Sequence, residues 1–329
     1  QEFIPSFTYH GYRYAEVTGI NDEQATEEFL TYIICHSDLP RSGRFKSSDD
    51  TLNKIQQCIL RSDLSNFYYF PTDCPHREKN GWSDDAGISA EQINYNFDAY
   101  ASYKEWFNNI RLAQKPDGQL PGIIPTSGWG YHWGNGPLSD IFIYEIPYQL
   151  YRFTGKKEII QENIGMMERY FDYMLSKIDQ KGLICYGLED WCESGHLSKH
   201  ACATPTAVTD TLLGVAIARR AKELSLAIGK TDRIKEYDQV AENFIESFKK
   251  EFVEDGYLVK CKSQTAQAMA IKSGVFSKEN EPKAYAALLD IIKSYNGKLH
   301  IGVTGSKYLF NVLAEHGDVQ LAYDMICGK

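Results

Sequence analysis

From Ser47 to the end of the chain, apolar residues return every three to four positions in one segment after another, and that period admits little but helix. Ser47-Ser-Asp-Asp opens the first helix with capping hydroxyls and first-turn acids, and Leu52, Ile55, Ile59 and Leu60 form its apolar stripe. Further helices are expected over 84–96, 98–114, 137–154, 156–179, 204–228, 230–253, 263–273, 279–294, 304–316 and 318–327. Gly155, Gly182, Gly229, Gly274 and Gly317 fall at or just past their ends, as stop signals should. Pro147 predicts a kink or a boundary inside one of them. Strand-like runs are confined to the start, Phe7–Val17 and Glu28–Cys35, and two or three strands cannot bury a sheet face alone. About eleven helices are too many for one bundle, and they lack the fixed repeat of a solenoid. Short connections (Gly155, Gly229) alternate with long ones (115–136, 180–203, 254–262), so the long loops can gather at one end and build a pocket.

Composition narrows the function classes. Of 329 residues, 43% are hydrophobic and 24% charged, the proportions of a globular protein with a large core. Lys+Arg 35 against Asp+Glu 44 leaves a net charge of −9 without a basic tract, which argues against nucleic acid or an anionic membrane as partner. No apolar run approaches the ~20 residues that span a bilayer. The chain opens at Gln1, with neither initiator Met nor signal peptide, the expectation for a mature chain or an excised piece. The eight cysteines include no paired C-x-x-C, so buried free thiols are expected. Cys192, His196, His200 and Cys202 match no common structural zinc spacing, and no metal or cofactor is expected. Composition leaves the oligomeric state open.

Chemistry concentrates between Pro71 and Asp85. Asp73, Glu78 and Asp85 surround Arg77 and Trp82 in a segment broken by Pro75 and Gly81, so a loop is expected there. Acids beside an indole suit a sugar, whose hydroxyls want acceptors and whose C–H faces want a flat apolar surface. A carboxyl held protonated by its neighbours can donate to a glycosidic oxygen. The plain alternative is a solvated turn with a capping Asp and a surface ion pair. Trp129 and Trp133 lie in a Gly-rich loop, and Trp191 follows a strand-like run over Leu183–Leu188.

The run Asp73-Cys74-Pro75-His76-Arg77-Glu78, with Gly81-Trp82 and Asp85, resembles the signature of bacterial α-L-rhamnosidases of glycoside hydrolase family 78. Three other segments carry the likeness along essentially the whole chain. Phe7–Tyr14 is similar to the end of the β-domain before the catalytic barrel, Gly187-Leu-Glu-Asp-Trp191 to a Gly-Leu-Gly-Asp-Trp motif, and His300–Gly305 to a late-barrel segment.

The resemblance implies an (α/α)6 toroid, six-hairpin glycosidase-like and mainly α, with a short N-terminal β segment. Residues 1–40 would belong to a preceding β-domain or linker and 41–329 to the barrel, with a twelfth helix expected past Lys329. It implies an inverting glycosidase that releases terminal α-L-rhamnose. Glu78 would be the general acid, Asp73 and Asp85 hydroxyl binders, and Arg77, Trp82, Trp133, Asp140 and Trp191 further sugar contacts.

Two departures stand out. Ser139 replaces the aromatic of a Gly-Pro-x-Trp-Asp motif, which puts the sugar or linkage in question. No Trp-Glu pair, the family's general-base motif, occurs in the 329 residues, so the base is expected past residue 329 and this chain alone is expected to be inactive. The partner would be a carbohydrate and the location secreted or periplasmic. The competing readings are a sugar-binding toroid without chemistry and a related (α/α)6 glycosidase with another sugar.

Overall fold

Burial sorts the helices of the computed structural model, which describes residues 3–126, 128–193 and 203–328, into two kinds. In order they are α1 (Asp50–Asn66), α2 (Ser83–Asn96), α3 (Tyr100–Ala113), α4 (Pro137–Asp140), α5 (Phe142–Thr154), α6 (Glu158–Leu175), α7 (Thr206–Ala227), α8 (Ile234–Phe252), α9 (Gln264–Lys272), α10 (Glu281–Ser294), α11 (Val303–Glu315) and α12 (Val319–Cys327). In α9 every residue from Gln264 to Ile271 is buried, and α5 is buried from Phe142 to Pro147. In α8 only the stripe Tyr237, Ala241, Phe244 and Phe248 is buried, and in α3 only Tyr103, Trp106, Phe107 and Ile110. Helices apolar all round must lie inside, and single-striped ones pack over them.

The arrangement is therefore a double ring. Residues of α2, α5, α7, α9 and α11 line one axial cavity of about 400 Å³, which makes these five the inner ring. Four of the five are covered by the helix that follows: α5 by α6, α7 by α8, α9 by α10 and α11 by α12. The first and last helices meet: Tyr323 of α12 donates to Asp49, the N-cap of α1. Two apolar cores share α7 and α8, one holding Val215 and Phe244, the other Leu212 and Phe248. This is the (α/α)6 toroid expected.

Two local expectations need correction. The segment 137–154 divides at Ile141 into α4 and α5, not at Pro147, which lies buried inside α5. Residues 3–36 form no strand, although Phe7–Val17 and Glu28–Cys35 have strand-like composition. Among the described residues no ladder partner stands beside them, and an unpaired strand has nowhere to satisfy its backbone except water. The strand pairs lie elsewhere: β1 (Phe67–Tyr68) with β2 (Phe70–Pro71), and β3 (Val253–Glu254) with β4 (Leu258–Val259).

Candidate active site

The acidic segment is a closed turn at the entrance to α2. Asp73 ties its ends together: its N–H donates to Asn80 O at 3.0 Å, and its Oδ1 accepts the Asn80 N–H at 2.9 Å. Inside the turn the Arg77 and Lys79 N–H groups donate to Cys74 O, and Lys79 adopts a left-handed conformation, φ 57. The loop between α3 and α4 pins the turn to the ring. Ser83 N and Oγ both donate to Gly122 O at 3.0 Å, and Ile124 N donates to Gly81 O at 2.8 Å. Gly122 has no room for a side chain, because a Cβ there would lie 1.8 Å from Gly134 O. Gly187 likewise presses on Asn135 O. The long loops thus meet at the mouth formed by the starts of α2, α5 and α11.

Glu78 receives Arg77 Nη2 at 3.0 Å on Oε1 and the Trp82 indole N–H at 3.4 Å on Oε2. The Trp82 ring is buried and meets Trp133 edge-on at 5.0 Å, and Trp129 stacks on Trp133 at 5.2 Å. Three indoles therefore run from Glu78 out to solvent, where Trp129 and Trp133 are about half exposed. Asp73, Glu78, Arg77, Trp82 and Trp133 are brought together. Asp85 joins them electrostatically from the first turn of α2. Trp191 stands on a separate loop with its ring exposed, and its carbonyl accepts the Val303 N–H that starts α11.

The protonation pattern reverses one expectation. Glu78, not Asp73, is held ionised: a hydrogen bond from the Asp73 carboxyl, aided by Trp82 and Arg77, pulls its pKa below the usual range despite some burial. Burial, reinforced by the Glu78 charge, pushes Asp73 up against the Asn80 bond. Two carboxyls this close cannot both ionise easily, so they share one proton and Asp73 carries it. Asp85 is pushed up to about 7 by burial and the Asp84 charge. Asp85 itself is exposed at the start of α2. The axial cavity begins just beyond it on α2, at Gly87.

Asp140 does not reach this mouth. It is completely buried at the end of α4, and its Oδ2 accepts the Gly136 N–H at 3.0 Å, so it anchors the loop that presents Trp133 instead of touching a sugar. Ser139 is fully buried too, which places that departure in the interior. Two groups were missed. Asp84 is raised by burial, with Oδ1 lacking a hydrogen-bond partner among the described residues, and the Asp84-Asp85 pair was its signal. The Cys74 thiol lies between Asp73 and Glu78, donating to Asp73 Oδ2 at 3.5 Å and accepting the Glu78 N–H at 3.4 Å. Potential ligand atoms of Asp73, Cys74 and Glu78 fall within 4.8 Å of one another, but the Arg77 guanidinium already occupies Glu78. His196, His200 and Cys202 lie outside the described residues.

A double ring of helical hairpins with acids and indoles at one mouth defines a six-hairpin glycosidase domain. The family comparison is more specific: the bacterial alpha-L-rhamnosidase 6 hairpin glycosidase domain matches residues 40–329, and the concanavalin-like domain of the same enzymes matches residues 1–35. The chain belongs to the bacterial α-L-rhamnosidase family. It is 27% identical over 346 residues to an alpha-L-rhamnosidase of Formosa agariphila, covering 99% of this chain and 35% of that protein. The chain thus spans about a third of the length of such relatives. The crystal structure of an Aspergillus terreus α-L-rhamnosidase superposes with a TM-score of 0.92 at 27% identity, over 99% of this chain and 38% of that one. The Streptomyces avermitilis α-L-rhamnosidase complexed with L-rhamnose superposes at 0.80 with 23% identity, over 88% and 27%, a likeness of fold.

Proposed function

We propose that the protein is an inverting glycoside hydrolase that releases terminal α-L-rhamnose from a glycoside or polysaccharide, with residues 41–329 as its catalytic ring and 1–40 belonging to the preceding β-domain. The observation that carries this is the closed turn that sets Glu78 beside Asp73, Arg77 and the buried Trp82, in a chain of the rhamnosidase family. Glu78 is the general acid. In the free site Asp73 holds the proton, and it passes to the glycosidic oxygen through Glu78 once the substrate excludes water. Asp85 accepts from ring hydroxyls, Arg77 and Trp133 flank the sugar, and Trp82 and Trp191 offer apolar faces to it. A second carboxylate, about 6.5–9.5 Å away on the opposite face, activates the water that inverts the anomeric carbon.

Ionised Glu78 in the empty site favours one competing reading, a ring that binds sugar without hydrolysing it. One experiment separates the two. On an alkyl rhamnoside, whose poor leaving group needs a proton, Glu78→Gln should lower kcat by about 10²–10⁴-fold. Rhamnose binding, read by calorimetry, should persist. Both rates are read in the full-length parent, which carries the base expected past residue 329: near-normal turnover there removes Glu78 from the role, and rhamnose binding with no turnover in the unaltered parent selects the non-catalytic ring.

A further inference from the structure

Every residue of 3–36 is exposed except Tyr9, Gly11 and Ile20, which are half-buried. Two of those three lie against the acidic turn. The Tyr9 ring packs on Tyr68 of β1 at 4.7 Å, and the Lys79 ammonium sits 5.1 Å from its centroid. Its hydroxyl is hydrogen-bonded with Thr72 and lies beside Asp73. Gly11 presses its backbone on His76 so closely that a Cβ would stand 2.8 Å from the His76 Cβ. The contacts with Tyr68, Thr72, His76 and Lys79 therefore grip both arms of the turn that carries Glu78. On its outer side His76, Arg77 and Glu78 are exposed, so the packing that holds this part of the turn comes from one side.

We propose that residues 9–11 are part of the catalytic site, with Tyr9 and Gly11 acting as positioning residues that brace the turn carrying Glu78. The inference rests on the hydrolase reading above and adds to it: the catalytic unit does not begin at the helical ring. Two clamps on one short turn leave the Glu78 carboxyl less room to wander, and a general acid displaced by ~1 Å can lose ~100-fold in rate. Tyr9 provides the stack and the hydroxyl contact. Gly11 provides a backbone approach that no side chain permits.

The test uses the full-length parent protein, which carries the expected general base, with Tyr9→Ala, Tyr9→Phe and Gly11→Val. Tyr9→Ala and Gly11→Val should lower kcat by up to about 100-fold, leave KM for an alkyl rhamnoside within about twofold, and move the alkaline limb of the pH profile. Tyr9→Phe keeps the ring contacts with Tyr68 and Lys79 and should retain most of the rate. The free Cys74 thiol reads the turn without needing turnover. Its alkylation, located by mass spectrometry, should accelerate in Tyr9→Ala and Gly11→Val while the melting temperature barely changes. Unchanged kcat and unchanged Cys74 alkylation overturn the proposal, as does a loss of rate explained by unfolding in both variants. Normal turnover in Glu78→Gln, with Cys74 still exposed by Tyr9→Ala, discards the hydrolase reading and leaves the brace standing.

Discussion

Asp140 illustrates how little a residue's identity says about its surroundings. Its position in a family-like motif reads as a sugar contact, yet the carboxyl has no exposed surface and burial pushes its pKa up to about 8. The contrast with Glu78 is instructive, because Glu78 is exposed and held ionised by three donors. Neither state follows from the letters, since both depend on which polar atoms the fold brings near. For Asp140 the consequence is a stability that depends on pH. An unfolded Asp releases its proton near pH ~3.9, whereas the folded one keeps it to about 8, so between these values the unfolded chain binds fewer protons. The Asp140 contribution is whole below that window and falls as pH rises through it, at ~1.4 kcal/mol for each pKa unit retained. Asp140→Asn keeps an acceptor for the Gly136 N–H and removes the titration. Urea midpoints at pH 5 and pH 8 should therefore fall less in the variant than in the wild type, and parallel declines would show that Asp140 is not neutral.

Helix α11 shows the same division at the level of an element. Its period and its start were readable, since the expected helix over 304–316 begins one position from the observed Val303. Its cap was not. The first N–H groups of any helix need acceptors, and those of α11 find one in Asp190, more than a hundred residues earlier. Asp190 accepts from Gly302 N at 3.0 Å, Thr304 N at 2.9 Å, Gly305 N at 3.3 Å and Thr265 Oγ1 at 2.8 Å. Two motifs that are weak when read separately, Gly187–Trp191 and His300–Gly305, are the two halves of this joint. Asp190→Ala leaves those donors buried and should cost about 3 kcal/mol. Denaturant unfolding measures the loss, and hydrogen exchange should quicken at the start of α11 before it does in α8. A loss below about 0.5 kcal/mol would mean that water replaces the cap.

Across the whole molecule, one buried acid links three inner helices. Glu145 of α5 accepts from Arg220 of α7 at 3.2 Å and from Lys307 of α11 at 3.1 Å, and Lys307 also reaches Gly87 O of α2. Burial alone would raise the Glu145 pKa, but the two cations outweigh it and hold the group ionised. Glu145→Leu strands two partly buried cations and should cost about 3–5 kcal/mol. Lys307→Met should cost less, because Arg220 still neutralises Glu145. A double-mutant cycle in denaturant measures the coupling, and equal costs for the two single changes would show that Lys307 alone closes the ring.

The sequence by itself determined the all-helical class, the helix spans to within a few residues, and the turn that gathers Asp73, Arg77, Glu78 and Trp82. These depend on apolar period, caps and turn residues, which act over neighbours a few positions apart. Only the tertiary structure decided which acid of the Asp73–Glu78 pair holds the proton, that Asp140 is an interior anchor, that Asp190 caps a distant helix, and that Tyr9 rests on the acidic turn. Each of those depends on burial and on partners from remote parts of the chain, which no local pattern encodes. The N-terminal runs make the same point from the other side, since strand composition without a ladder partner yields no strand.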